Sequence, residues 1–265
     1  MASHNDRPEE QAVINADSKY LQDLPQIQTL RSALLSKAWF GFDLDDTLHE
    51  FRRASASAST SVFIAIHNES GVAIDTLKKS YRDILRAKTA SAFIDGRTST
   101  EYRRERFTTL LQTHDLNASS ATIDNLLSIY QQNLREALTL KPGAMQLFKA
   151  IKGLGKKVII VTEGPRDAQE WTVRELGIAP YVDKLVTTNE MGTSKVDGLF
   201  SVMLDRFAIS AADMVFVGDN EARDVVPARD EGILTVLYDE EGGCRLDLDA
   251  LRVDSLLVLE NALRL

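Results

Sequence analysis

Residues 38–48 read Ala-Trp-Phe-Gly-Phe-Asp-Leu-Asp-Asp-Thr-Leu, an apolar and aromatic run that stops abruptly in Asp43, Asp45 and Asp46. The run predicts a buried β-strand. Side chains alternate along a strand, so Asp43 and Asp45 leave on the same side and two carboxylates meet where a buried strand ends. Like charges that close are costly unless a cation or a shared proton compensates them. Hard oxygen ligands without sulfur or imidazole select Mg2+ over a softer metal. An Asp-rich turn capping the next helix is the competing reading of the same residues. A calcium loop beginning at Asp43 fits poorly, because Leu48 stands where that loop needs its glycine and Ala54 where it needs its bidentate glutamate.

The 265 residues suffice for one large domain or a domain with an insertion. Residues 1–16 are expected to form a disordered tail. Leu24, Ile27, Leu30 and Leu34 then recur at helical spacing, with Asp23 as N-cap and Pro25 in the first turn. Residues 49–141 contain no convincing strand. Helices are predicted near 57–70, 75–92, 99–113 and 121–138, punctuated by Gly71, Gly96 and the stretch 114–117, and the Ala/Ser run 54–61 is compatible with a helix start. About 90 residues are too many for an ordinary connection, so 49–141 reads as a smaller helical domain inserted into a core made of 17–48 and 142–265. From residue 143 the pattern alternates: helices at 143–153, 166–176, 197–207 and 221–231, and strands at 157–161, 184–187, 214–217 and 233–237, with 255–259 as one more strand. Near-continuous Val/Ile runs alternating with helices predict an α/β core, a parallel Rossmann-like sheet with helices on both faces. Gly-x-Gly-x-x-Gly, the P-loop pattern and Gly-x-Ser-x-Gly are all absent.

A net charge of −8 and a pI near 5.1 repel nucleic acid and anionic membranes unless a basic patch overrides the mean. No such patch is evident, since Arg103, Arg104 and Arg106 are interspersed with Glu101 and Glu105. The one cysteine, Cys244, excludes an internal disulfide and fits a reducing compartment. His4, His49, His67 and His114 lack metal-ligand spacing and read as surface or packing residues. The N-terminus has no apolar signal core, and no apolar run approaches the roughly 20 residues of a membrane helix. These features predict a cytoplasmic protein with neither nucleic acid nor membrane as partner; a monomer and a dimer are both open.

Open parallel sheets bind ligands at the carboxyl ends of their strands. Those ends here carry Asp43 and Asp45, then Thr162, then Asp219, with Lys195 in a loop after the intervening strand. This ordered set resembles the haloacid dehalogenase superfamily of hydrolases. Asp43-Leu44-Asp45-Asp46-Thr47 is similar to its first motif, Thr162 to the second, Lys195 to the third, and Gly218-Asp219-Asn220 through Asp224 to the fourth. The resemblance covers about 38–260 and makes the helical insertion a cap domain.

The resemblance implies a role for each residue. Asp43 attacks phosphorus and forms an aspartyl-phosphate. Asp45 protonates the leaving oxygen and then takes a proton from water. Mg2+ is held by Asp43 and Asp219 and by the main-chain carbonyl of Asp45. Lys195 neutralises charge on Asp43 and phosphate, and Thr162 holds the phosphoryl oxygens together with nearby groups at Glu163 and Gly164. Thr47, Asn220 and Asp224 support the metal ligands from behind. Two departures stand out: Glu163 replaces the family's usual neutral residue after Thr162, and Val196 replaces its usual Pro after Lys195.

The implied activity is Mg2+-dependent hydrolysis of a small phosphorylated metabolite, with a nucleotidase-like preference. A phosphomutase shares all four motifs. A 2-haloacid dehalogenase needs neither metal nor second acid, so Asp45 and Asp219 argue against it, and a binding scaffold without catalysis ranks lowest. Arg52, Arg53 and Arg97 are candidates to meet a second anionic group of the substrate, against the base rate that arginines are solvated. Phe63, Tyr81, Phe93, Tyr102 and Phe107 could stack on a base or sugar, but their spacing fits packing within the cap better.

Overall fold

The structure, a computed structural model, describes residues 24–88 and 93–264. The predicted tail 1–16, the N-cap Asp23 and the last residues of the helix predicted to reach 92 lie outside the described residues. Helix α1 (Leu24–Leu35) buries Ile27, Leu30 and Leu34 and leads into β1 (Trp39–Phe42). The other strands are β2 (Lys157–Thr162), β3 (Lys184–Thr187), β4 (Met214–Gly218), β5 (Leu234–Tyr238) and β6 (Arg252–Val253). Every pairing is parallel and the order is β3-β2-β1-β4-β5-β6. The chain steps outward from β1 through β2 to β3, then crosses to β4 on the other side. That reversal makes β1 and β4 neighbours, and the crevice beyond their carboxyl ends is the place where such sheets bind ligands.

Alternation sorts the strand residues onto two cores. Phe40, Phe42, Val158, Ile160, Val215 and Val217 face Leu30, Leu34, Phe148 of α6 (Ala144–Gly153) and Leu259 of α11 (Leu256–Arg264). Ile159, Val161, Met214 and Phe216 face Phe200 and Met203 of α9 (Leu199–Phe207). Both faces are covered, which is why the strands read as near-continuous apolar runs. Each fully buried Leu or Phe contributes on the order of 1.5–3 kcal/mol relative to exposure.

Four helices lie between β1 and α6: α2 (Phe51–Ser70), α3 (Ile74–Lys88), α4 (Ser99–Thr113) and α5 (Ser120–Ala137). They enclose their own core around Val62, Phe63, Leu77, Phe107, Leu110 and Leu126. Helix α2 starts at Phe51 instead of near 57, because Ala54 and Ala58 share one buried helical face along α5. Thr98 and Glu101 form a reciprocal capping box on α4, and Ser119 caps α5. The two chain segments joining this unit to the sheet run side by side: Glu50 N–H donates to the Thr139 carbonyl at 3.0 Å and Lys141 N–H to the Leu48 carbonyl at 2.9 Å. Buried Lys141 pairs there with Glu50 at 2.9 Å and Glu240 at 2.7 Å.

One predicted strand is corrected. Residues 255–259 are not a strand; Leu256–Arg264 is helix α11, and the last strand is the two-residue β6 before it. Leu256, Leu259 and Leu263 repeat at helical spacing and are buried, but a short apolar run does not separate a strand from a buried helix by itself. Among the described residues, no helix is long and apolar enough to cross a membrane.

Candidate active site

Asp43 extends the ladder one residue beyond β1, its N–H donating to the Val217 carbonyl at 2.9 Å. Its carboxylate is therefore fixed at the crevice, 6 % exposed. The chain then turns: Asp46 takes a left-handed backbone (φ 63°), which Asp tolerates better than most residues, and its N–H donates to the His49 carbonyl. The turn buries Thr47. Its hydroxyl donates to Asp43 Oδ2 at 3.4 Å and accepts from the Asp219 N–H at 3.0 Å, tying the ends of β1 and β4 together.

Lys195, 2 % exposed, stands on the short turn Lys195–Asp197 with its Nζ 2.5 Å from Asp43 Oδ1, bonded also to Asp224 and 5.6 Å over the Phe216 ring. Burial alone would lower its ammonium, but the charges of Asp43 and Asp224 outweigh that and hold it above the usual lysine range. Asp224 arrives through the π-helical turn Glu221–Val225, a geometry common at functional sites. Its Oδ2 accepts from the Asn220 N–H at 3.0 Å, while Asn220 Oδ1 accepts from the Arg223 N–H. Gly218 makes room for this return, since a Cβ there would overlap Asp224.

Oxygens of Asp43, Asp219 and Asp224 all lie within 4.8 Å of one another. Burial pushes Asp43 up, against the pull of Lys195 and with added repulsion from Asp224 and Asp45. Burial and Asp224 likewise push Asp219 up, against Arg52. A hard divalent cation fits this donor set, because three crowded carboxylates, with the proton affinity of Asp43 and Asp219 raised, are what a cation relieves. The Asp45 side chain is not in the triad. Its Oδ1 meets His49 Nε2 at 2.9 Å and its Oδ2 accepts from Gln169 Nε2 at 3.3 Å.

Thr162 is buried at the end of β2 with its hydroxyl unpartnered, and it lines the crevice beside Asp43 and Lys195. The charge of Glu163 is met by Arg223 Nη1 at 2.9 Å. The Gly164 N–H is committed to Thr188 Oγ1 at 3.1 Å. Arg52 is exposed and pairs with Asp46 at 3.1 Å and Asp219 at 3.3 Å. Arg53 is exposed and lines neither cavity, and Arg97 pairs with Glu105 at 2.8 Å. The crevice is a cavity of about 510 Å³. It shares Asp45, Phe51, Arg52, Phe93 and Glu163 with a second cavity of about 930 Å³ that extends into the four-helix unit.

Three residues at the site carry no motif in the sequence: His49, Gln169 and Arg223. Of the histidines read as surface or packing residues, His49 is a packing residue, fully buried and edge-on to Phe51, and it also bonds Asp45. Its spacing of four from Asp45 was the available signal. Gln169 and Arg223 reach the site from α7 (Arg166–Glu175) and from the turn after β4, and nothing local marks them.

A buried lysine bridges two carboxylates at the switch point of a parallel sheet, an acidic ligand site on a Rossmann-like fold. The chain belongs to the haloacid dehalogenase-like hydrolases, whose family profile matches residues 38–232. It is 25 % identical over 203 residues to a ribulose-1,5-bisphosphate 5-phosphatase of Halopiger xanaduensis, covering 75 % of this chain and 83 % of that one. A glyceraldehyde 3-phosphate phosphatase of Methanocaldococcus jannaschii is 31 % identical over 96 residues, 36 % of this chain and 42 % of that protein. The fold is that of a 2-haloacid dehalogenase from Pseudomonas syringae, with a TM-score of 0.65 at 20 % identity over 86 % of this chain and 98 % of the other.

Proposed function

We propose that this protein is a Mg2+-dependent phosphatase that cleaves the phosphomonoester of a small metabolite through an aspartyl-phosphate on Asp43. The observation that carries this reading is the placement of Asp43: buried, aimed into the crevice, and bonded to Lys195 at 2.5 Å with a second carboxylate, Asp45, two residues on. An Asp43 oxygen attacks phosphorus and the bond to the leaving oxygen breaks. Asp45, steered by His49 and Gln169, gives its proton to that oxygen and later accepts one from the water that releases phosphate. Lys195 offsets charge on Asp43, and the unpartnered Thr162 hydroxyl donates to a phosphoryl oxygen.

Asp43 and Asp219, with the Asp45 carbonyl, would hold Mg2+, and Asp224 would steady Lys195 and the loop behind it. When bound, the ion offsets the mutual repulsion of carboxylates and phosphate. Residues 49–141 then act as a cap that excludes bulk water and large substrates, and the reaction runs in the cytoplasm. The phosphatase names of the two relatives support phosphoester hydrolysis over carbon–halide displacement, as do Asp45 and Asp219. The test is phosphate release from a panel of phosphorylated sugars, trioses and nucleotides with Mg2+ and with EDTA. Release lost in EDTA is expected. Phosphate transfer within a substrate, without release, would instead mark a mutase.

A further inference from the structure

The larger cavity carries positive charge that the chemistry at Asp43 does not use. Among the residues that line it but not the smaller crevice, Arg103 and Arg106 stand three residues apart on one face of α4. Both are half-buried, and neither pairs with a carboxylate among the described residues. The acids interleaved with them are engaged elsewhere: Glu101 closes the capping box and Glu105 pairs with Arg97. Arg103 donates to Ser99 Oγ at 3.0 Å and lies 4.8 Å over the Tyr130 ring. Arg106 lies 5.8 Å over both Phe93 and Tyr102, and its Nε is buried without a hydrogen-bond partner.

The neighbouring hydroxyl does not neutralise them. Burial pushes Tyr81 up to about 12 against the pull of both arginines, so it stays a neutral donor. Outside the shared crevice the lining contributes the acid Asp75, which comes with Lys78 and Arg82, and Asp167 is bonded to the Ser99 hydroxyl that Arg103 donates to. The rings already carry a guanidinium or another ring against them, Tyr81 being stacked on Phe107, which disfavours a stacked nucleobase. Paired guanidiniums with spare donors in a partly desolvated pocket match the oxygens of phosphate or carboxylate.

The geometry points to a second anion subsite: besides the phosphoester cleaved at Asp43, the substrate carries a second phosphate or a carboxylate that Arg103 and Arg106 receive. This rests on the phosphatase reading of the smaller cavity, and it turns the nucleotidase-like preference toward doubly anionic sugar derivatives.

The test titrates the full-length Asp43→Asn protein by calorimetry with a pentose monophosphate, a pentose bisphosphate and a phosphorylated pentonic acid. At least one doubly anionic ligand is expected to bind roughly ten- to a hundredfold more tightly than the monophosphate. Adding Arg103→Met and Arg106→Met should erase that difference and leave the monophosphate unchanged, and whichever of the bisphosphate and the acid loses affinity identifies the anion. If the double variant does not fold, the single variants and Arg106→Lys take its place. Equal affinities, binding of none of the three, or an equal loss on all three overturns the subsite. Phosphate release by the wild-type protein separates the two readings. Equal kcat/KM on the monophosphate and bisphosphate removes the subsite and keeps the phosphatase. Selective tight binding without release removes the phosphatase and keeps the subsite.

Discussion

Nε2 of the fully buried His49 lies 2.9 Å from Oδ1 of Asp45, four residues earlier, and Gln169 holds the other carboxylate oxygen. Asp45 is thus aimed from both sides instead of hanging free in the crevice. His49→Leu should lower kcat roughly ten- to a hundredfold with little change in KM, because positioning of the acid is lost and substrate contacts are not. His49→Gln, which restores a donor, should recover part of that loss. Steady-state kinetics on any cleaved phosphoester decide it, and wild-type kcat in the Leu variant would remove His49 from the mechanism.

Asp219 faces the crevice between Asp43 and Asp224, and Arg52 is its counter-charge. Asp219→Ala is expected to raise the Mg2+ concentration for half-maximal activity at least about tenfold while the fold persists. An unchanged metal titration would refute its role as a ligand.

Gly218 touches Asp224 so closely that any side chain must displace it. Gly218→Ala should cost about 1–3 kcal/mol in urea unfolding and weaken turnover, since Asp224 is what Lys195 leans on. A variant of full stability and activity would show that the loop can yield.

The buried Lys141, between the two connecting segments, should make stability depend on pH at both extremes. Burial opposes its charge, but Glu240 and Glu50 outweigh burial and hold its ammonium above 10.5. Burial opposes the Glu240 charge too, and Lys141 and Tyr238 outweigh it, holding the carboxyl below 4.5. The lysine's contribution is full below its unfolded pKa and fades as pH rises through the higher folded value. The glutamate's is full above its unfolded pKa and fades as pH falls through the lower folded value. The stability lost in Lys141→Met should therefore be largest near neutrality and shrink as pH falls below the ordinary glutamate range and as it rises above the ordinary lysine range. A pH-independent difference would contradict the ion-pair account.

The sheet and the strand ends that carry the candidate site were legible because their signals are local. Apolar runs ending in Asp43, Thr162 and Gly218-Asp219 mark strands and their carboxyl ends without knowledge of any partner. Helix α11 was not, since Leu256–Leu259 satisfies both periods over so short a run. Gln169 and Arg223 reach Asp45 and Glu163 across 124 and 60 residues, distances over which no pattern carries. The face that the arginines of α4 share is hidden in the linear sequence. Read linearly they alternate with glutamates, but at 3.6 residues per turn Glu101 and Glu105 fall on one side and Arg103 and Arg106 on nearly the opposite one.

The most direct test of the central claim looks for phosphate on Asp43 itself. The protein is mixed with Mg2+ and the best radiolabelled phosphoester of the panel, quenched in acid within one turnover, digested and mapped. The account predicts label on the peptide containing Asp43, released by hydroxylamine as an acyl phosphate is, and absent in Asp43→Asn, which should be folded and inactive. Rapid phosphate release with no labelled peptide, or with label on another residue, would contradict it.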